Sequence, residues 1–302
     1  MAPHRRHHTT RPRRSSARRH RHRVRHARGP APFPGAVMSA PRVLVFGDDS
    51  SPAADVAWLF INTHCWPGWR LEVVTAHVPD VPGVALPHEI TELHRWKPPQ
   101  PRAVFAEARF AEVADLTAEA DPRIALSRES DLLVIGPRGP GLLKALHLGS
   151  TADWLLLHPP APLLIARHGH AVRTVVVCAD GSPHADKVAD VLAGMPWIDS
   201  LAATVLVIDD GRIDVDAAID GARRRLEAAG ATVEVRVERG APTATIHAHL
   251  VEASPDLVAL GTRGLTGLRH LRLGSTASAV ARTATCSVLV ACDEQEYARS
   301  ND

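Results

Sequence analysis

The chain has 302 residues, and 45% of them are apolar, which is typical of a globular protein with about two domains of ordinary size. No stretch approaches the roughly 18 uncharged apolar residues of a membrane-spanning helix, so we expect no membrane span. The formal charge of +2 is uneven, because residues 1–37 hold 11 Arg and no acidic residue. The rest of the chain therefore carries 24 basic against 33 acidic residues, a net charge of −9, which argues against a large face for duplex nucleic acid.

Residues 1–40 are predicted to form a disordered tail, because they contain almost no large apolar side chains. They also lack the apolar segment of a secretory signal. Two interpretations of this Arg- and His-rich tail stay open. A basic arm can contact nucleic acid or anionic lipid. Alternatively, translation starts at Met38 and the tail is not made, and the intact mass of the native protein distinguishes the two.

The first repeat opens with a predicted strand at 42–47 and a helix over about 53–63, where Ser51 suits the N-cap and Pro52 the first helical position. Residues 80–102 are too rich in proline to assign, and residues 110–116 fit a strand or a helix. The other predicted elements are strands at 71–78, 131–136 and 161–167, a helix near 122–128 and a helix from Ser150.

The second repeat alternates regularly between strands and helices, and its strands are rich in Val, Leu and Ile. This pattern is typical of a parallel sheet with helices on both faces. Strands are predicted at 174–179, 203–208, 232–238, 256–261 and 287–291, and helices near 183–194, 214–229, 242–253 and 275–284. We therefore expect two α/β domains, at 41–168 and 172–292, and a flexible tail at 293–302.

The four cysteines show neither CxxC nor metal-ligand spacing. We interpret Cys178, Cys286 and Cys292, which lie in or beside apolar strands, as small buried side chains in a reducing cytoplasm. No Ser/His/Asp spacing, HExxH or paired-carboxylate motif stands out. The sequence therefore identifies no catalytic residue and no protein-held metal site.

A glycine motif occurs twice, each time after an apolar strand: Gly-x-x-Gly, nine residues, then Gly-Ser-Thr. Its glycines can take positive φ and let the backbone approach a ligand. Its Gly-Ser-Thr ends start helices, whose free N–H groups and dipole favour phosphate. The alternative is that the glycines only form turns and the serines only cap helices. The candidate residues are Gly136, Gly139, Gly149, Ser150, Thr151, Gly261, Gly264, Gly274, Ser275 and Thr276.

An aspartate follows the first strand of each repeat, Asp48 in the first and Asp180 in the second. Doubly wound folds bind ligands at this edge, where a carboxylate can accept a hydrogen bond from an adenine amino group or a ribose hydroxyl. Simple helix capping explains the same residues. If Asp48 is aligned with Asp180, Asp49 stands where the second repeat has Gly181, and this extra carboxylate either repels a triphosphate or helps to hold Mg²⁺.

Together these residues resemble the universal stress protein family, and in particular its tandem-domain members. The resemblance covers residues 40–292 and rests on the strand–Asp–Gly–Ser segment 175–182, on Ala241 and Pro242, and on both glycine motifs. It implies an α/β fold of two flavodoxin-like (adenine nucleotide alpha hydrolase-like) domains. Each would be a five-stranded parallel sheet with helices on both faces, and the two would form a pseudo-dimer through their fifth strands.

In that family the glycine motif binds the phosphates and ribose of ATP, while the first-strand Asp and a Val at the end of the second strand hold the adenosine. By position these would be Asp48 with Val78, and Asp180 with Val207. The resemblance implies a cytoplasmic stress-response protein that senses or sequesters ATP, with or without Mg²⁺, and that acts on an unidentified protein partner. The alternatives are a slow ATPase or phosphotransfer enzyme, an interaction scaffold with vestigial pockets, and a nucleic-acid binder through the tail. A homodimer of the whole chain also stays open.

Overall fold

The computed structural model describes residues 40–77, 102, 106, 108–138, 148–264 and 273–291. The strands of its sheet are β1 (Arg42–Gly47), β2 (Trp66–His77), β3 (Phe110–Glu119), β4 (Leu132–Ile135), β5 (Leu163–Ile165), β6 (Thr174–Ala179), β7 (Ala202–Asp209), β8 (Thr232–Arg239), β9 (Leu257–Gly261) and β10 (Ser287–Ala291). The α-helices in the described part of the chain are α1 (Pro52–Thr63), α2 (Pro122–Leu126), α3 (Ser150–Leu157), α4 (Pro183–Ala193), α5 (Val215–Ala228), α6 (Pro242–Ala253) and α7 (Ser275–Thr283).

The strands form one sheet in the order β3-β2-β1-β4-β5-β10-β9-β6-β7-β8. Neighbouring strands run parallel except at the centre, where β5 and β10 pair antiparallel with Leu164 opposite Leu289. Each repeat contributes five strands to the sheet. The predicted α/β class with two flavodoxin-like halves is confirmed, and the fifth strands pair as the resemblance implied.

Both faces of the sheet are covered, because successive side chains along each strand point to opposite sides. Phe46 belongs to one apolar core and its neighbour Val45 to the other. Helices α1, α4 and α5 pack on the Phe46 side, and α2, α3, α6 and α7 on the Val45 side. A ligand therefore reaches the sheet most readily at the carboxyl ends of the strands, between the two helical layers.

The structure settles one element that the sequence left ambiguous and lengthens another. Residues 110–119 form β3, which pairs with β2 from Glu112 opposite Arg70 to Glu119 opposite His77. β2 begins at Trp66, five residues before the predicted start, and the fully buried Trp66 indole donates a 2.9 Å hydrogen bond to the Ile61 carbonyl. Most of the Pro-rich stretch 80–102 lies outside the described residues.

Within the described ranges, no helix is both long and apolar enough to cross a bilayer.

A buried histidine connects the first repeat to the linker and to the second repeat. His64, at the C-terminal end of α1, is 4% exposed, and its ring lies 4.5 Å from the Trp197 ring between centroids. Its Nδ1 bonds the Phe60 carbonyl at 2.8 Å, so Nδ1 carries the proton. Its Nε2 then accepts a 3.1 Å hydrogen bond from the Val172 backbone N–H. Burial lowers the pKa of His64 below its usual value, because the charged ring is poorly solvated.

We expect the protein to lose stability in acid through this histidine. The neutral ring stabilises the fold fully above about pH 6.5, the unfolded pKa, and this contribution is lost as the pH falls toward the lower folded pKa. Protonated Nε2 no longer accepts from Val172, and an unmet buried N–H costs about 1–3 kcal/mol. Urea unfolding at several pH values measures the effect. His64→Gln cannot titrate and should flatten the pH dependence; an equally steep dependence in that variant would contradict the assignment.

Candidate nucleotide site

A cavity of about 340 Å³ opens at the carboxyl ends of β6, β7 and β9, beside the N-terminus of α7. This volume lies within the range of pockets for small molecules, roughly 300–1,000 Å³. Three separate segments of the second repeat bring predicted site residues to its wall. These residues are Asp180, Gly261, Gly264, Gly274, Ser275 and Thr276.

Among the described residues, no side chain caps the backbone N–H groups at the N-terminus of α7. Gly274 is the N-cap residue, with φ −72° and ψ 155°, and it has no side chain with which to bond the first turn. Ser275 is therefore the first helical residue, so the alternative in which it caps the helix is wrong. The amide of Gly274 donates to the Thr262 carbonyl at 2.7 Å, which holds the two arms of the glycine segment together. The first-turn amides that follow are suited to an anion.

Close packing, rather than positive φ, explains the first glycine of each motif. A Cβ at Gly261 would lie 2.7 Å from the Cβ of His184 and 2.8 Å from its carbonyl carbon, at the start of α4. A Cβ at Gly136 would lie 2.6 Å from the backbone C and O of Ala53 in α1. Neither glycine has positive φ, so that expectation was wrong. The glycine is required because a helix packs directly against the end of the strand.

Asp180 lies between the start of α4 and the second glycine of the motif. Its Oδ1 accepts a 3.0 Å hydrogen bond from the Ser182 backbone N–H. Its Oδ2 faces Gly264 so closely that a Cβ at Gly264 would collide with it. Gly264 therefore makes room for this carboxylate at the cavity wall.

The apolar wall of the cavity was not predicted from the sequence. It is formed by side chains from β7, α6, β9 and the loop after β7, namely Leu206, Ile208, Ile213, Ile246 and Leu260. Val207, which was predicted to hold adenosine, is fully buried in the core on the opposite side of the sheet. The two-residue period of a strand sends Leu206 and Ile208 to the cavity and Val207 away from it. Val207 can therefore contact a ligand here only through its backbone.

Cys178 also lines the cavity, as part of the same wall. Burial raises the pKa of its thiol to about 12, so the side chain stays protonated and is a poor nucleophile. It therefore contributes a small, weakly polar surface rather than covalent chemistry, in line with the interpretation from the sequence.

Strand pairing shows that Asp49, rather than Asp48, is the equivalent of Asp180. Leu44 pairs with Leu132 in the first repeat, and Val175 pairs with Leu257 in the second. Leu132 and Leu257 each lie four residues before the first glycine of their motif. Counting from these pairs aligns Asp49 with Asp180 and Ser51 with Ser182. The contacts agree, since Asp49 Oδ1 accepts from the Ser51 N–H at 3.0 Å.

Asp48 instead lies on the other side of the sheet, where it forms a buried ion pair. The Arg102 guanidinium bonds it through Nε to Oδ2 at 2.5 Å and through Nη2 to Oδ1 at 3.0 Å. Asp48 is 2% and Arg102 5% exposed, and Arg102 also bonds Asp55 at 2.7 Å. The prediction that Asp48 holds a nucleotide is corrected, because its carboxylate is buried and paired with Arg102.

The first repeat retains part of the same geometry at its own glycine motif. Gly149 is the N-cap of α3, with φ −77° and ψ 163° and no side-chain cap, and its amide donates to the Pro137 carbonyl at 2.9 Å. Ser150 and Thr151 are the first two residues of α3. Gly139 and Val78 lie outside the described residues. The pairing of β1 with β2 makes Thr75, three residues before Val78, the equivalent of Val207.

The fold and these paired segments define a tandem α/β protein with a glycine turn at the edge of each half. The profile of the Universal stress protein family matches the chain twice, over residues 42–167 and 171–291, and the chain belongs to this family.

Individual relatives agree with this assignment. Universal stress protein Slr1230 of Synechocystis is 27% identical over 168 residues, which are 54% of this chain and 58% of that protein. A universal stress protein of Mycolicibacterium smegmatis is 31% identical over 189 residues, 54% of this chain and 62% of that protein. The chain thus spans less than two-thirds of these relatives' length. The crystal structure of a universal stress protein from Archaeoglobus fulgidus has the same fold, with a TM-score of 0.58 at 20% identity, covering 84% of this chain and 96% of that one.

Proposed function

We propose that the second repeat binds an adenine nucleotide, ATP above all, in its cavity, and that the protein senses or sequesters this nucleotide. The observation that supports the proposal most strongly is the convergence of a carboxylate, a glycine turn and an uncapped helix N-terminus on one cavity of about 340 Å³. These groups suit the two unlike ends of a nucleotide. An apolar wall with a carboxylate accepts the nucleoside, and backbone amides accept the phosphates.

The phosphates would lie at the N-terminus of α7, against the amides that follow Gly274 and the hydroxyls of Ser275 and Thr276. Thr276 is held in place by a 3.3 Å contact with the Thr243 hydroxyl. The purine would lie on the wall formed by Leu206, Ile208 and Ile246, and Asp180 would accept hydrogen bonds from the sugar hydroxyls. Mg²⁺, when present, would enter with the phosphates, since it binds substrate phosphates and keeps several waters.

Binding without rapid turnover is the function that these residues support best. In the described part of the chain, the cavity wall contains two carboxylates, Asp180 and Asp210, and neither histidine nor lysine. Slow ATP hydrolysis with Asp210 as base is the alternative. Phosphate release well above the spontaneous rate, lost in Asp210→Asn while nucleotide affinity is kept, would favour it.

We expect Asp180→Asn to weaken Mg-ATP binding about 10- to 100-fold, because hydrogen bonds to a charged group contribute about 1.5–3 kcal/mol. Isothermal titration measures the affinity and the number of sites. Asp49→Asn is the matched control, since Asp49 makes the same turn contact in the first repeat.

Asp49→Asn should leave ATP binding at the second-repeat site unchanged. It would lower the number of ATP molecules bound per chain only if the first repeat also binds ATP. No heat and no thermal shift at millimolar ATP would leave the interaction scaffold as the function. Undiminished affinity in Asp180→Asn would refute the placement of the site.

A further inference from the structure

The linker between the two repeats carries two histidines that contact an aspartate of the second repeat. His168 and His170 lie between β5 and β6, and Asp256 immediately precedes β9. Their imidazole rings are stacked, with centroids 3.7 Å apart and planes inclined by 12°. The cluster lies at the opposite ends of the strands from the nucleotide cavity, because Asp256 precedes β9 and Gly261 ends it.

Both rings bond Asp256 through Nε2. His170 Nε2 lies 3.0 Å from Asp256 Oδ1, and His168 Nε2 lies 2.6 Å from the Asp256 backbone carbonyl. The other carboxylate oxygen, Oδ2, accepts from the backbone N–H groups of Arg173 and Thr174 and from the Thr174 hydroxyl, at 2.8–3.0 Å. The Asp256 carboxylate is thus held by Oδ2, while Oδ1 faces His170.

Asp256 offers the cluster a carboxylate, whose oxygen is a usual ligand of a divalent cation. The buried Nδ1 of His168 has no hydrogen-bond partner among the described residues, so this ring nitrogen is not already used by another group there.

We propose that His168, His170 and Asp256 form a binding site for a divalent transition metal ion, Zn²⁺ above all. One ligand atom from each residue lies within 4.8 Å of the others. Imidazole nitrogen and carboxylate oxygen are the usual non-thiol ligands of zinc, and a site with three protein ligands keeps its fourth position for water.

Binding requires a small movement and neutral imidazole rings. Zinc–ligand bonds of about 2.0–2.2 Å place tetrahedral ligand atoms roughly 3.3–3.6 Å apart, so the cluster must contract. The His170 side chain is 61% exposed, so its ring has room to move, while Asp256 stays fixed by its Oδ2 bonds. Each coordinating ring is a neutral imidazole: one nitrogen gives its lone pair to the metal, the other keeps the ring proton, and the second proton of a charged ring goes to solvent. The metal then replaces the His170–Asp256 hydrogen bond.

A bound ion would tie the linker to the second repeat and so brace the junction of the two halves. Residues 166–173 connect β5 to β6, and this segment also contains Val172, whose backbone N–H donates to His64. Metal binding should therefore stabilise the fold as a whole, since a ligand that binds only the folded state raises its stability.

The test is a zinc titration of the full chain against a competing chromophoric chelator, with the variants His168→Ala and His170→Ala. Because the tail residues 1–40 hold further histidines, the matched control is His247→Ala, which replaces a half-buried histidine of α6 whose Nε2 lies 2.9 Å from the Thr283 hydroxyl. All four proteins contain the histidines of the tail, so any zinc bound there is the same in each. A difference in zinc binding between the proteins therefore reports the linker site alone.

We expect the wild type and His247→Ala to bind one more tight equivalent of zinc than either linker variant, whose affinity at this site should fall at least about 100-fold. Zinc should also raise the melting temperature of the first two proteins and not of the linker variants. Cobalt substitution should give visible d–d absorption that is lost with either histidine. Equal stoichiometry, affinity and thermal shift in all four proteins would overturn the proposal.

Discussion

Arg102→Ala should lower the free energy of unfolding by about 3–5 kcal/mol, because it leaves the Asp48 carboxylate charged and buried without its partner. The two side chains are bonded through two nitrogen–oxygen contacts and are almost completely buried. The guanidinium also lies over the rings of Phe46 and Trp58, at 5.7 and 5.6 Å, so packing is lost as well. Urea unfolding of the variant against the wild type measures the loss.

Asp55→Asn is the matched control for this ion pair. Asp55 bonds the same guanidinium at 2.7 Å, but its side chain is 58% exposed, so its removal should cost at most about 1 kcal/mol. Asp48→Ala should destabilise the fold while leaving Mg-ATP affinity unchanged. A loss in Arg102→Ala no larger than that in Asp55→Asn would show that the pair is not structural, and loss of ATP binding in stably folded Asp48→Ala would restore Asp48 to the site.

Gly264→Val should weaken nucleotide binding at least about 100-fold with little change in stability. The new Cβ collides with Asp180 Oδ2, so either the turn or the carboxylate must move away from its place at the cavity. Gly264 itself is exposed, and its replacement removes no core contact. A misplacement of about 1 Å in a preorganised site is enough for a loss of this size. Isothermal titration with Mg-ATP gives the affinity.

Gly139→Val provides the control for the glycine turn, because Gly139 occupies the same place in the first motif. It should leave the affinity of the second-repeat site as it is in the wild type. An unchanged affinity in Gly264→Val, or equal losses in both variants, would contradict the location of the site in the second repeat.

Much of the fold follows directly from the sequence, because Val-, Leu- and Ile-rich strands and the duplicated glycine spacing are local signals. The bounds of α6 agree with the prediction to the residue, since Pro242 starts the helix. The central pairing of β5 with β10 came from the family resemblance. The extent of β2 was underestimated, because Pro67 and Gly68 interrupt its sequence pattern while Trp66 still packs in the core.

The site was predicted less accurately, and the errors have physical causes. In the first repeat two aspartates follow the strand, and the alternation of strand side chains sends Asp48 to the core and leaves Asp49 in the turn. The Ser-Pro pair that begins each first helix would have given the correct alignment, since Ser51 and Ser182 both cap their helices. The same alternation sends the Val207 side chain to the core, so the predicted contact of Val207 with adenosine would be made by its backbone.

Other features depend on contacts between distant parts of the chain. Arg102 meets Asp48 across 54 positions, and His64 meets Val172 across 108. The linker histidines reach Asp256 across more than 80 positions. No local sequence pattern predicts such contacts, because only the folded sheet brings these segments together.

The most direct test of the proposed nucleotide site is photolabelling of the full chain with 8-azido-ATP, followed by peptide mapping. The second-repeat site predicts that label falls on the segments that line the cavity, those containing Leu206–Ile213 or Pro242–Ile246, and that excess ATP displaces it. Label confined to the first repeat, or label that ATP does not displace, would contradict this placement of the nucleotide.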